Sequence, residues 1–301
     1  MQALRNNHIV QGVLLAIAAT LLWSGNFIIS RAVSHDIGPI SLAFYRWLTA
    51  TIIIAPFAWK KINQEKSLVL ANKRYLFFVS LTGIALFNTF VYVAGHYTSA
   101  INMALIGTTS SPIFATILAI IFLKEVVGQF RILGMLICIS GILLLISNGS
   151  WAKLAAFHFS IGDLWILAGA FAFAIYNVLV RKKPVGISAD FFLMILFGMG
   201  TAMLFPFYIG ELIFSPAPNW NPTLIGSILY LGAGTSAIAF LCWNLAIQKL
   251  GAGRTVLFGN LIPVFSIIEA VLILGEKMST AHLISGAIVI LGLTIANIKS
   301  K

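Results

Sequence analysis

Ten apolar stretches of about twenty residues follow one another along this chain, over 12–33, 40–59, 75–96, 101–123, 129–147, 162–181, 189–210, 223–247, 254–274 and 280–298. A helix needs about 20 such residues to cross the hydrocarbon core of a bilayer. No water reaches that core, so every backbone N–H and C=O must be bonded inside the spanning element, which leaves helices or closed barrels. Runs this long, joined by polar stretches as short as "HYTSAIN" (96–102) and "KLGAGR" (249–254), predict tight helical hairpins. The expected fold is an all-α integral membrane protein of ten transmembrane helices. Composition excludes the soluble alternative: 60% of residues are hydrophobic and 9% charged, where a soluble domain carries about a quarter charged.

The formal net charge of +11 does not read as a nucleic-acid footprint, because the basic residues sit at the ends of apolar runs. With the N-terminus placed in the cytoplasm and sides alternated, 15 Lys and Arg fall in loops on that side and 3 on the other. That asymmetry supports both termini in the cytoplasm and an even number of spans. The first run is longer than a signal-peptide core and ends in Arg31 and His35 instead of small cleavage-site residues, so it reads as a retained span. Cys138 and Cys242 lie within apolar runs, with no CxxC or metal-ligand neighbour, and read as small core residues. Neither a metal site nor a cofactor is expected.

One passage occurs twice. "SSPIFATILAIIFLKE" (110–125) and "LIPVFSIIEAVLILGE" (261–276) match at Pro112 and Pro263, Phe114 and Phe265, Ile117 and Ile268, Ala119 and Ala270, Leu123 and Leu274, and Glu125 and Glu276, always 151 residues apart. Asn26 and Asn177, Gly83 and Gly234, and Gly141 and Gly292 keep the same offset. Two halves, 1–150 and 151–301, each hold five spans. Five is odd, so the second half is inverted relative to the first, an arrangement used by carriers whose halves rock about a central site. Pro112 and Pro263 are candidates for breaking their helices beside a cavity, or are simply tolerated in a membrane helix. Glu125 and Glu276, at the ends of matched spans, are candidate gating residues, or solvated helix ends.

The Pro-x-Phe…Leu-x-Glu blocks with glycines following them (Gly134, Gly141, Gly286, Gly292), together with "LLWSGNFIISRAV", "FYRWLTA" and "AGHYTSAINMALIGTTSSPIF", resemble the EamA-like family of the drug/metabolite transporter superfamily. The resemblance covers both halves in order. It implies a ten-helix fold in which the first, third, fourth, sixth, eighth and ninth spans surround a central cavity. It also implies transport of small metabolites, often amino acids, and for many members export across a bacterial inner membrane. The chain has almost no soluble tails, which favours a bacterial member over an organellar one.

Polar groups inside a span are costly and tend to face a cavity or another helix. Asn88, Tyr92 and His96 recur every four residues and share one helical face. Trp243, the 151-offset mate of Tyr92, stands beside Asn244; Trp23, Asn26, Tyr176, Asn177 and Asn260 complete the candidate substrate-binding set. Such a box of aromatics and amides suits a small zwitterion or cation, though Trp and Tyr also mark interfaces and Asn also joins helices. Arg46 lies seven residues past Pro39 in the second span, roughly 10 Å deep; it either snorkels to the outer interface or binds a carboxylate. Glu269, whose mate is Leu118, breaks the repeat and with His96 is a titratable candidate for coupling to protons. The reading is a secondary-active carrier of small organic metabolites such as amino acids or amines, acting in the lipid bilayer as a monomer or homodimer. A channel-like permease is the alternative, although filter loops and charge rings are missing. An intramembrane enzyme is the less favoured one, since no HExxH, GxSxG or paired aspartates occur.

Overall fold

Where the computed structural model describes them, the apolar stretches are helical; it describes residues 2–33, 35–97, 100–124, 127–147, 149–155, 160–262, 264–265, 268 and 280–296. In chain order they are α1 (Gln2–Ala32), α2 (Pro39–Ala58), α3 (Ile62–Ala71), α4 (Lys73–Ser80), α5 (Phe87–Tyr97), α6 (Ala100–Leu123), α7 (Gln129–Ser147) and α8 (Trp151–Ala155). They continue with α9 (Ile161–Arg181), α10 (Ala189–Phe214), α11 (Pro222–Leu229), α12 (Ala239–Leu250), α13 (Ala252–Thr255) and α14 (Thr280–Ala296). Among the described residues there is no strand. Six of the helical runs there are long and apolar enough to cross a membrane: His8–Asn26, Pro39–Ala71, Lys73–Tyr97, Ile161–Arg181, Ala189–Phe214 and Pro222–Leu250. Three shorter apolar helices, Ser110–Leu123, Gln129–Gly141 and Leu283–Ala296, accompany them.

The ends of these helices follow local chemistry. Ser160 and Asp163 form a capping box at the start of α9, and Asn221, followed by Pro222, accepts from the Leu224 N–H at the start of α11; both satisfy donors that a helix leaves orphaned. The tight turn predicted at "KLGAGR" rests on Gly251 at φ +90°, a backbone region that glycine enters without steric cost. Two long runs are wound more widely in the middle: Leu81–Leu86, between α4 and α5, and Tyr230–Ile238, between α11 and α12, are π-helical. π turns are rare and concentrate at functional positions. These two cover the same register at the 151-residue offset.

Packing joins α2 to α10, α7 to α14, α1 to α12, and both α5 and α6 to α9. The α2–α10 pair is antiparallel and capped from both ends. The Ile40 and Ser41 N–H groups at the start of α2 donate to the Glu211 carboxylate near the end of α10, at 3.1 and 2.6 Å. At the opposite end the Ser188 N–H before α10 donates to Glu65 of α3 at 2.9 Å. A carboxylate at a helix N-terminus meets both the free N–H groups and the positive end of the helix dipole. Glu211→Ala should therefore cost about 1 kcal/mol of stability, and Glu211→Gln, which keeps one acceptor, should cost less; thermal melts of the three proteins in detergent check this order.

The α7–α14 contact is built on small residues. The Cys138 thiol donates to the Val289 carbonyl at 3.5 Å, across 151 positions. A Cβ added to Gly134 would lie 2.4 Å from the Gly292 carbonyl oxygen, and one added to Gly292 would lie 2.8 Å from the Cys138 backbone nitrogen. The two backbones approach closely because glycine occupies these positions.

Candidate functional site

Arg46 of α2 is 1% exposed, far from the snorkelling position that was one of its two sequence expectations. Its guanidinium turns inward and joins four elements. Nε donates to the Ser236 hydroxyl at 2.6 Å. Nη1 donates to Asn26 Oδ1 of α1 at 2.8 Å, to Asn88 Oδ1 of α5 at 3.0 Å and to the Tyr92 hydroxyl at 2.7 Å. Nη1 has two hydrogens for these three acceptors, so one bond is shared. Nη2 has a single long contact, 3.4 Å, to the Thr235 carbonyl. The guanidinium carbon also lies 5.0 Å from the Trp47 ring centre, within cation–π range. Burying a charge is costly unless it is bonded. Here every partner is neutral, and the cation is held entirely by dipoles.

The π-helical segment supplies two of these partners. The Thr235 carbonyl also accepts from Trp23 Nε1 at 2.7 Å. Trp23 packs against Trp243, with ring centres 4.8 Å apart, and meets Phe240 and Phe173 edge-on at 5.4 and 5.8 Å. Phe173 stacks in turn on Phe87 at 4.5 Å. Beyond this aromatic layer lies a second polar pair: Trp243 Nε1 donates to Asn177 Oδ1 at 2.8 Å, and the Tyr176 hydroxyl donates to Asn244 Oδ1 at 2.5 Å.

Against the aromatic layer and the Arg46 cluster lies a cavity lined by Trp23, Asn26, Arg46, Phe87, Asn88, Val91, Gly107, Ser111, Pro112, Ile166, Ala170, Phe173, Phe240, Trp243, Val256, Gly259 and Ile262. Its wall is mostly aliphatic and aromatic, with polar groups gathered at Asn26, Arg46, Asn88 and Ser111. No carboxylate lines it among the described residues. Of the residues singled out in the sequence, Trp23, Asn26, Asn88, Trp243, Arg46 and Pro112 line the cavity. Tyr92 stands behind them, bonded to Arg46. Tyr176, Asn177 and Asn244 form the adjacent layer, and Asn260, fully buried, follows the lining residue Gly259. His96 is exposed near the end of α5 and away from this wall. Glu125, Pro263, Glu269 and Glu276 lie outside the described residues. Phe87, Phe173, Phe240, Thr235 and Ser236 were not singled out. The aromatics among them are lost among ordinary apolar residues, and Thr235 acts through its main chain.

The model of the EamA-like transporter family matches this chain twice, over residues 10–147 and 160–298. An "uncharacterized transporter" of Archaeoglobus fulgidus is 26% identical over 95% of this chain and 97% of its own length. The "uncharacterized transporter YyaM" of Bacillus subtilis is 30% identical over 86% of this chain and 84% of its own. A "probable terminal-alkyne amino-acid exporter" of Streptantibioticus cattleyicolor is 27% identical over 62% of this chain and 61% of its own. A solved crystal structure superposes with a TM-score of 0.73, covering 95% of this chain and 96% of that one; at 19% identity the likeness concerns the fold alone.

Proposed function

Because this chain belongs to the EamA-like transporter family, we propose that it is a secondary-active carrier that moves small organic metabolites, such as amino acids or amines, by alternating access. One observation carries the reading. The cavity is walled by both family-matched segments: α1, α2, α5 and α6 from the first, and α9, α12 and residues 256–262 from the second. A site between two such segments is exposed to either side when they rock. Trp23, Asn26, Asn88 and Trp243 are the contacts proposed for the solute, with Tyr92, Tyr176, Asn177, Asn244 and Asn260 holding them in place.

The proposed architecture is ten spans in two inverted five-helix repeats, 1–150 and 151–301. Several features support it: the double family match, the Cys138–Val289 contact between offset mates, and the π segments in matching register. The reciprocal caps of α2 and α10 have the same sense. The proposed setting is a bacterial inner membrane with both termini in the cytoplasm, an orientation that the loop charges support.

Purified protein in sealed vesicles should show saturable uptake of a labelled solute from a panel of amino acids and small amines, with counterflow when unlabelled solute is trapped inside. Non-saturating flux without counterflow would make the protein a channel-like permease. Coupling is a separate question. Under an imposed pH gradient, Glu269→Gln or His96→Asn is expected to reduce accumulation at least severalfold, whichever residue carries the proton. Gradient-driven accumulation that survives both substitutions removes them as proton carriers.

A further inference from the structure

Resting on the carrier reading, we propose that the solute is an anion at the point of binding: an apolar or aromatic organic acid whose carboxylate meets Arg46 and Asn88. Three observations converge. Arg46 lines the cavity while 1% exposed, and none of the hydrogen-bond partners of its guanidinium is a carboxylate. Its Nη2 carries one contact of 3.4 Å, long for a charged hydrogen bond.

The neighbouring Asn88 is equally buried and lines the same wall, and its Nδ2 has no hydrogen-bond partner. The orientation of that amide follows from its neighbour: Arg46 can only donate, so Asn88 must turn Oδ1 toward it and present the NH2 group elsewhere. A buried donor left unmade is costly, which makes it a place where a ligand gains affinity. Two donors on adjacent groups, one of them cationic, match the two oxygens of a carboxylate. The rest of the wall, including Trp23, Phe87, Phe173 and Trp243, is apolar and takes the body of the molecule. A cationic amine would face a guanidinium whose hydrogen-bond partners are all neutral, so repulsion of like charges should make it bind more weakly than the acid.

The decisive comparison uses three probes of one shape: 3-phenylpropionate, 3-phenylpropanamide and 3-phenylpropylamine. Binding to the full chain in detergent, measured by calorimetry, should favour the acid over the amide by at least about tenfold, with the amine weaker still. The second variable is Asn88→Asp. It keeps the Oδ1 acceptor for Arg46, places an internal carboxylate beside the guanidinium and removes the free donor. Its thermal midpoint should match or exceed that of the unmodified protein, while its affinity for the acid falls by at least about tenfold. Equal affinity for acid and amide, no binding of the acid, or unchanged acid binding in Asn88→Asp overturns the proposal. Saturable counterflow of the amine or the amide without the acid also overturns it, and in that case the carrier reading stands.

Discussion

Replacing Arg46 by methionine is expected to lower the thermal midpoint by roughly 10 °C and to abolish transport. Two effects oppose each other. Removing a buried charge relieves a desolvation cost that can reach several kcal/mol, and isosteric apolar replacement of buried ions is sometimes stabilising. Against this, Asn88 Oδ1 and the Tyr92 and Ser236 hydroxyls lose the Arg46 donor at once, and Asn26 Oδ1 loses its bond to the guanidinium, while the Thr235 carbonyl keeps its bond from Trp23. Each orphaned group costs about 1–3 kcal/mol. The second effect wins because the charge is already solvated by five acceptors, so little penalty remains to be relieved. Arg46→Lys should fall between the two, since one ammonium cannot reach Ser236 on one side and Asn26, Asn88 and Tyr92 on the other. Fluorescence melts of the three proteins test the order; a methionine variant with an unchanged midpoint would mean that the acceptors re-pair among themselves.

The second large effect belongs to Gly134. A β-carbon there would sit 2.4 Å from the Gly292 carbonyl oxygen and 2.5 Å from the Ala296 amide nitrogen. Both are backbone atoms, which cannot swing aside as a side chain can. Overpacking a close-packed interface costs about 1–3 kcal/mol even where side chains yield, so Gly134→Ala should be visibly destabilised, and Gly134→Val should leave little folded protein after extraction. Gly210→Ala is the control: nothing lies within 4 Å of its added carbon, and alanine is the better helix former. Monodisperse yield on size-exclusion chromatography separates the outcomes, and equal yields for Gly134→Val and the unmodified chain would contradict the packing assigned to α7 and α14.

Much of the helical content was legible, because run length and the bilayer's demand for bonded backbone leave few alternatives. Gly141 and Gly292, paired by the 151-residue register, each face the other helix of one interface, a contact that the register alone did not announce. Trp23, Asn26, Asn88 and Trp243 could be found because a polar or aromatic group inside a span is costly enough to need a reason. The direction of Arg46 could not be read. Its depth follows from counting residues, but its stem can reach inward or outward, and the choice is made by Asn26, 20 residues earlier, and Ser236, 190 later. Thr235 had no usable signature: its hydroxyl bonds the Leu231 carbonyl of its own helix, as threonines in helices commonly do, and its contribution to the site is a carbonyl that every residue possesses. The stripe of Asn88, Tyr92 and His96 holds for its first two members. One turn further on, α5 is ending at Tyr97 and His96 is exposed.

The caps that Glu211 and Glu65 place across α2 and α10 have an electrical consequence. Sliding the continuous run Pro39–Ala71 along α10 breaks both caps at once, so the two behave as a strut, and Arg46 is fixed to it. In the alternating-access cycle we propose, rocking of other helices around such a strut would leave the guanidinium nearly stationary in the transmembrane field, so Arg46 would contribute little gating charge. In the proposed carrier, the voltage sensitivity of a turnover is then set by the net charge of its cargo together with that of any coupled proton. An inside-negative membrane favours the outward passage of a monoanion by about 2.3 kcal/mol per 100 mV and gives a zwitterion no such push.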